Sequence, residues 1–109
     1  KFPAPLPQVI YDDSIYMATP DTLLMRVRRV GTEHADRLPR HMMVVGHNPG
    51  LEDLTILLTG SGSDAGMALI AEKFPTCAVA IIDFEADNWT EINAGAGRLV
   101  HFIVPRDLP

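Results

Sequence analysis

The first clear element of the chain is an amphipathic helix, predicted from the spacing of its apolar residues. Four of them recur on one helical face: Leu23, Leu24, Val27 and Val30. Residues 19–21 read Thr-Pro-Asp, which combines a capping hydroxyl, a proline suited to the first helical position and a carboxylate that favours the positive helix end. Gly31 is expected to end this helix, because glycine readily adopts the left-handed conformation that follows a helix.

Continuous apolar runs predict two strands that are buried on both faces, over residues 40–45 and 76–84. A second amphipathic helix lies between them, with apolar residues at helical spacing: Leu51, Leu54, Leu57 and Leu58. Residues 60–66 have the small side chains of a loop. A third, shorter helix is expected to follow the loop and to end at Pro75.

Shorter extended segments complete the pattern, over residues 8–11, 89–92 and 98–104. Turns over residues 85–88 and 93–97 separate the last strands, so the end of the chain is expected to be an antiparallel meander. Because the earlier strands alternate with helices, the pattern predicts an α/β domain with a mixed sheet flanked by helices.

Composition narrows the classes of function. The 109 residues form one domain at most, and the net charge of −5 argues against a nucleic-acid partner, since the only basic cluster is Arg26, Arg28 and Arg29 within a helix. Cys77 is the only cysteine, so a reducing, cytoplasmic compartment is expected. No apolar run has the length of a membrane span, and the four histidines lack metal-site spacing. No membrane partner, metal or other cofactor is therefore expected.

The chemistry centres on residues 46–50, which read Gly-His-Asn-Pro-Gly between a predicted strand and a predicted helix. His47 should lie at the carboxyl end of the strand, beside a helix N-terminus, where open α/β sheets bind ligands and where anions are favoured. Asn48 is expected to cap the helix and Pro49 to begin it. An imidazole here could donate a hydrogen bond to a phosphoryl oxygen. The alternative is a histidine that only satisfies a loop carbonyl.

Residues 43–54, Met-Val-Val-Gly-His-Asn-Pro-Gly-Leu-Glu-Asp-Leu, resemble the second-histidine motif of SixA-type phosphohistidine phosphatases, which belong to the histidine phosphatase, or phosphoglycerate mutase-like, superfamily. Residues 11–18, 72–76 and 104–108 agree with that family in order. The resemblance implies a phosphoglycerate mutase-like fold. It also implies that His47 is a phosphate ligand and charge stabiliser, with the backbone N–H of Asn48 adding a contact.

One departure from the family concerns the attacking group. The family's nucleophilic histidine follows an arginine at the end of its first strand, but no Arg-His-Gly or Arg-His-Ala occurs in this chain. The only Arg-His pair, Arg40-His41, begins the strand that already carries His47 at its other end. The chain is therefore expected to be the C-terminal part of a single histidine phosphatase domain, with the first strand and the nucleophile segment preceding Lys1.

The resemblance leaves the general acid and the exact activity open. Asp12 and Asp13 lie in the region where many superfamily members place an acid, and the alternative is a turn with solvated carboxylates. The expected function is removal of a phosphoryl group from phosphohistidine or a phosphomonoester through a phosphohistidine intermediate, so the expected partner is a phosphorylated substrate. The alternatives are a small-molecule phosphatase or mutase of the same superfamily, and a non-catalytic phosphate-binding or interaction module.

Overall fold

A computed structural model of the chain describes residues 8–107. This part contains three α-helices and three strands: α1 (Pro20–Glu33), α2 (Gly50–Leu58), β1 (Thr59–Gly62), α3 (Asp64–Glu72), β2 (Val79–Asp83) and β3 (Gly97–Ile103). Single 3-10 turns occupy Asp13–Ile15, Trp89–Glu91 and Pro105–Asp107. Within residues 8–107, no helix combines the length and the hydropathy of a membrane span.

The start of α1 is confirmed, whereas its expected end at Gly31 is wrong. The hydroxyl of Thr19 accepts a hydrogen bond from the backbone N–H of Thr22 at 3.3 Å, and the helix continues to Glu33. Gly31 is buried inside the helix, where an added Cβ would lie 2.0 Å from Oδ1 of Asn88. This glycine therefore serves close packing of α1 against the turn Trp89–Glu91, and it does not end the helix.

The sheet is small and mixed, which confirms the predicted α/β character. Its strand order is β1-β3-β2, with β1 parallel and β2 antiparallel to β3. The central strand carries the most buried large side chain, Leu99, which is 1% exposed. Strand β3 lies close to the predicted range of residues 98–104. The predicted three-strand meander is wrong, because β2 pairs directly with β3 in antiparallel orientation and no strand lies between them.

Residues 40–45 do not form the predicted buried strand. They run without helix or strand structure, and Met43 and Val45 are 81% and 75% exposed. A strand needs a neighbour to bond its backbone N–H and C=O groups, and among residues 8–107 no ladder includes this segment. The apolar composition of the segment is typical of a buried strand, but none of the three described strands pairs with it.

Two further strand predictions are wrong for local reasons. Residues 8–11 have no regular structure. Residues 89–92 contain a 3-10 turn, because the side chain of Asn88 accepts a hydrogen bond from the N–H of Thr90 at 2.9 Å and so closes the chain locally. The indole N–H of Trp89 donates to the carbonyl of Pro39 at 2.8 Å, which fixes this turn to the start of the extended segment.

The predicted loop over residues 60–66 is partly strand and partly helix. Strand β1 begins at Thr59, and an added Cβ at Gly60 would lie 1.9 Å from the carbonyl oxygen of Gly95. Ser63 caps α3 by accepting from the N–H of Gly66 at 3.1 Å. The small side chains therefore permit neighbouring backbones to approach closely. Composition alone could not distinguish this packing role from a loop.

The segment before β2 also differs from the prediction. The expected strand over residues 76–84 shortens to Val79–Asp83, and α3 ends at Glu72, before Pro75. Cys77 lies in a turn with φ of 65°, and its side chain is exposed, so it does not pack within a strand. Strand β2 is only half covered, because Val79 and Ile81 are 44% and 40% exposed.

One core cluster lies where α1 and α2 pack against each other and against Ile92, which follows the turn Trp89–Glu91. Its buried side chains are Leu23, Leu54, Leu58 and Ile92. Burial of each such side chain stabilises the fold by about 1.5–3 kcal/mol. Because Leu23 comes from the first turns of α1 and Leu54 from α2, this core holds the N-terminal ends of the two helices near each other. The candidate site lies at those ends.

Candidate functional site

His47 occupies the turn between the extended residues 41–46 and α2. Its backbone carbonyl accepts from the N–H of Leu51 at 3.1 Å, and the carbonyl of Pro49 accepts from the N–H of Asp53 at 2.9 Å. These bonds fix the backbone of the turn, while the imidazole itself remains exposed. The side chain is therefore free to contact a ligand from solvent.

The expected capping of α2 is wrong in detail. The helix begins at Gly50, so Pro49 is its N-cap and makes no side-chain capping bond. Asn48 does not cap the helix. Its side-chain amide donates a hydrogen bond to the carbonyl of Phe74 at 2.9 Å, which attaches the turn to the segment that follows α3. The peptide bond between Asn48 and Pro49 is cis.

A pocket of about 230 Å³ lies beside this turn. It is lined by residues 17–20, residues 47–50 and Asp53. The two stretches approach closely because Gly50 has no side chain: an added Cβ would lie 2.7 Å from the carbonyl oxygen of Ala18 and 3.3 Å from Cδ1 of Leu23. Gly50 is thus required by packing between the start of α1 and the start of α2.

An aromatic contact orients the histidine ring. The rings of Tyr16 and His47 meet edge to face, with centroids 5.4 Å apart and planes at 82°. The next residue, Met17, adopts the left-handed backbone conformation with φ of 54°, which residues other than glycine populate sparsely. Met17, which lines the pocket, therefore has an unusual backbone conformation, and it follows directly after the tyrosine whose ring contacts the imidazole.

Helix α2 offers one backbone donor at the pocket. Gly50 lines the cavity, and within the described residues its N–H has no hydrogen-bond acceptor. A free N–H at a helix N-terminus favours an anion. The pocket lining also includes Asp53 and contains no lysine or arginine. The imidazole of His47 and the N–H of Gly50 would therefore be two donors to an anion, in a lining that also includes Asp53.

Asp12 belongs to a polar cluster outside the pocket lining. It accepts hydrogen bonds from the hydroxyl and the backbone N–H of Ser14, at 2.6 and 2.9 Å, and it pairs with the guanidinium of Arg26. These contacts, with the Ser14 hydroxyl first and Arg26 second, lower the pKa of Asp12 to about 2. The carboxyl group is therefore ionised near neutral pH and carries no proton to donate.

Asp13 is exposed and begins the turn Asp13–Ile15, and it too lies outside the pocket lining. Asp13 fits the solvated-turn interpretation, whereas Asp12 is held in an ion pair with Arg26. The remaining histidines, His34, His41 and His101, are not among the residues that line this pocket. Within residues 8–107, no three histidine, cysteine or acidic side chains cluster as metal ligands.

Sequence reasoning identified His47 and the anion-favouring turn but missed two of the neighbours. Asp53 lies in the first turn of α2, shortly after His47 in sequence, and this position was a readable signal. Tyr16 gave no signal, because its contact with His47 depends on the chain reversal at Met17. Asn48 was identified, but the structure gives its side chain a loop-anchoring role.

Comparison with known proteins finds relatives of unassigned function. The chain is 38% identical over 98 residues to the uncharacterized proteins Rv1276c and MT1313 of two Mycobacterium tuberculosis strains, with 88% of this chain and 58% of each relative covered. It is 32% identical over 99 residues to the uncharacterized protein ML1117 of Mycobacterium leprae, covering 90% and 58%. The chain thus spans less than two thirds of the length of these relatives. No family model and no solved structure matches it.

Proposed function

We propose that this chain is the phosphate-binding part of a SixA-like histidine phosphatase with a phosphoglycerate mutase-like fold. In this proposal His47 donates a hydrogen bond to the transferred phosphoryl group and stabilises its charge. The parent protein removes the phosphoryl group from phosphohistidine or a phosphomonoester. The proposal is supported by the motif around His47 together with the α/β architecture and its mixed sheet.

The observation that carries the proposal is the position of the imidazole. His47 is exposed, lines a 230 Å³ pocket and stands beside the free N–H of Gly50 at the start of α2. A positioned donor that meets developing negative charge is what phosphoryl transfer requires of a protein. A histidine that only satisfied a loop carbonyl would have its ring engaged within the chain, and no ring hydrogen bond of His47 occurs among the described residues.

The reaction needs a second histidine, which we place in the part of the protein outside this chain. Its ring nitrogen would form a bond to phosphorus while the bond from phosphorus to the substrate's nitrogen or oxygen breaks. Water would then hydrolyse the phosphohistidine and release inorganic phosphate. His47 would stay unmodified in both steps and hold the phosphoryl oxygens. We further place additional cationic groups outside this chain, because the pocket lining lacks lysine and arginine.

A second candidate function is a phosphate-binding module without catalysis. The observation that favours it is the lining of the pocket, which combines the acidic residue Asp53 with a single imidazole. This combination of side chains has too little positive charge for efficient phosphoryl transfer. A small-molecule phosphatase or mutase of the same superfamily differs from the main proposal only in its substrate. Its recognition would depend on residues outside this chain.

The test uses orthovanadate, an analogue of the transferred phosphoryl group, followed through the ring signals of all four histidines by NMR. We expect His47 signals to shift on titration, and His47→Ala to weaken vanadate binding by about tenfold or more, which corresponds to 1.4 kcal/mol. The matched control is His101→Ala, since His101 is exposed on β3 and outside the pocket. Equal vanadate binding by wild type and His47→Ala would refute the assigned role.

Turnover separates the two candidate functions. We expect the 109-residue chain to hydrolyse no phosphomonoester. The intact M. tuberculosis relative should do so, and it should lose most activity when the histidine aligned with His47 becomes alanine. An intact relative that binds vanadate but shows no turnover on phosphohistidine or phosphomonoesters would favour the binding module.

A further inference from the structure

Asp53 is a feature of the pocket that anion binding alone does not explain. It lines the same 230 Å³ cavity as His47 and Gly50, and among the described residues no lysine or arginine shares that lining. A carboxylate repels a phosphoryl group, so an acidic residue beside two donors disfavours a simple anion. We propose that Asp53 is a specificity-determining residue, whose carboxylate pairs with a positively charged nitrogen that the ligand carries beside its phosphoryl group.

The carboxyl group of Asp53 is available for such a pair. Among residues 8–107 its side chain takes part in no hydrogen bond and no ion pair, and the residue is exposed. The ion pairs in this part of the chain engage three other carboxyl groups, those of Asp12, Glu33 and Asp83. A cationic partner for Asp53 therefore comes from outside the described residues, and a ligand in the pocket can supply it.

Helix geometry places the two sides of the pocket close together. The backbone N–H of Asp53 donates to the carbonyl of Pro49 at 2.9 Å, which fixes Asp53 in the first turn of α2. Positions three residues apart share one face of a helix, and helical side chains tilt toward its N-terminus. Asp53 therefore extends toward Gly50, after a rise of about 4.5 Å along the helix. The pocket thus has donors at one side and an acidic group at the other.

The size of the pocket restricts the ligand to a phosphoryl group with a short attachment. Its volume of about 230 Å³ lies below the roughly 300–1,000 Å³ of pockets for drug-sized molecules. In so small a ligand, a second charged group lies near Asp53 whenever the phosphoryl group contacts His47. A positive group is then attracted and a negative group is repelled. This inference rests on the proposed function, which places the phosphoryl group beside His47, and it narrows the substrate to zwitterionic phosphate compounds.

The competing role of Asp53 is stabilisation of the helix. Acidic residues in the first turn favour the positive end of a helix, and α2 has two of them, Glu52 and Asp53. Only Asp53 lines the pocket. Glu52 is therefore the matched control, because it has the same charge and lies in the same helical turn. A role confined to helix stability would leave the charge preference of the pocket unchanged.

Two probes of similar size isolate the sign of the second charge. Phosphoethanolamine carries an ammonium group where phosphoglycolate carries a carboxylate. We expect the wild-type chain to bind phosphoethanolamine more tightly, in NMR titrations at low salt with EDTA. An exposed ion pair changes an affinity by up to about fivefold, so Asp53→Asn should weaken phosphoethanolamine, strengthen phosphoglycolate and reduce the ratio of the two affinities by about fivefold. Asp53→Glu and Glu52→Gln should keep the wild-type ratio, and added salt should reduce it.

Several outcomes would overturn the proposal. One is an equal affinity ratio in wild type and Asp53→Asn, and another is a chain that binds vanadate but neither probe. A preference that appears only with Mg²⁺ present would mean that Asp53 holds a metal ion instead.

The same titrations in intact Rv1276c, with aspartate at the position aligned with Asp53, test the competing partner. We expect the preference to persist there, and its loss would mean that a cationic side chain of the protein pairs with the carboxylate. The two proposals can fail separately. Equal vanadate binding by wild type and His47→Ala contradicts the proposed function, whereas an unchanged ratio in Asp53→Asn contradicts only the role of Asp53.

Discussion

Tyr16 and His47 meet edge to face, with ring centroids 5.4 Å apart and ring planes at 82°. The two residues are distant in sequence, and their contact joins the turn before α1 to the turn before α2. Both lie near the 230 Å³ pocket, where Met17 and His47 are lining residues. The orientation of the imidazole therefore depends on an aromatic ring that belongs to neither the motif nor the helix beside it.

Removal of the Tyr16 ring should loosen the imidazole without unfolding the chain. An aromatic pair contributes about 0.5–1.5 kcal/mol, and Tyr16 is 68% exposed, so the loss of stability should lie at the low end of that range. We expect Tyr16→Ala to weaken vanadate binding several-fold, whereas Tyr16→Phe, which keeps the ring, should bind as the wild type does. Tyr11→Ala is the matched control, because Tyr11 is 93% exposed. Equal binding by all three variants would show that the ring contact does not position His47.

The ion pair of Asp12 should make stability depend on acid pH. Its pKa falls from the ordinary 3.8 to about 2 in the folded chain, mainly through the Ser14 hydroxyl and then through Arg26. Because the folded pKa is the lower one, the contribution of Asp12 is fully present above the unfolded pKa and is lost as the pH falls through about 2. The wild type should therefore be more stable than Asp12→Asn at pH 5 to 7, and the difference should shrink between pH 4 and pH 2.

Thermal unfolding at several pH values measures this difference. The control is Asp13→Asn, since Asp13 is exposed and its side chain forms no ion pair among the described residues. A difference between wild type and Asp12→Asn that stays constant from pH 7 to pH 2 would contradict the assigned pKa. An Asp12 carboxyl signal that titrates near 4 in NMR would contradict it directly.

Gly31→Ala should destabilise the chain, although alanine is the better helix former by about 1 kcal/mol. An added Cβ would lie 2.0 Å from Oδ1 of Asn88 and 2.7 Å from the backbone nitrogen of Thr90. The backbone contact cannot be relieved by rotating a side chain, so α1 would have to move away from the turn Trp89–Glu91. We expect a loss of about 1–3 kcal/mol in the free energy of unfolding.

Chemical denaturation measures that loss. Thr32→Ala is the control, because Thr32 is exposed on the same helix, and its replacement changes helix propensity without creating a close contact. We expect this control to be neutral or slightly stabilising. A Gly31→Ala variant that is as stable as Thr32→Ala would mean that the helix and the turn are packed less tightly than the structure indicates.

The sequence was informative where local signals agreed with tertiary packing. The start of α1 followed from Thr19 and Pro20, because capping is a local property of the chain. The last strand was placed close to its observed range because it is a short apolar run bounded by turns, although its direct pairing with β2 was not predicted. The turn around His47 was placed correctly before a helix, since glycine and proline bracket it, but the strand predicted to lead into it does not form.

The remaining errors occur where tertiary contacts decide the local structure. Gly31 was interpreted as a helix end, but the approach of Asn88 explains why glycine is needed there. Residues 40–45 have the composition of a buried strand, but no strand of the described sheet pairs with them. No local pattern in the sequence reveals whether a strand has such a neighbour. Tyr16 reaches His47 only because Met17 adopts a left-handed conformation, and nothing in the residue type of methionine predicts that conformation.

Asn48 should contribute to the site by holding its loop, and this role is separable from anion binding. The side-chain amide donates to the carbonyl of Phe74 at 2.9 Å, whereas the resemblance to the phosphatases assigns any anion contact of Asn48 to its backbone N–H. Asn48→Ala removes the side-chain bond and keeps the backbone donor. Because a hydrogen bond of this kind contributes about 0.5–1.5 kcal/mol, we expect a loss of stability within that range.

Asn48→Asp tests the direction of the same bond. It replaces the amide donor with a carboxylate acceptor that faces the Phe74 carbonyl, so it should destabilise the chain more than Asn48→Ala does. The added negative charge beside His47 should also weaken vanadate binding more strongly than the alanine variant, and added salt should reduce that excess because exposed charges are screened. Chemical denaturation and vanadate titration at low and high salt measure the two effects. If aspartate and alanine variants were equally stable, the amide of Asn48 would not be donating to Phe74, and the loop would be held by the backbone bonds of His47 and Pro49 alone.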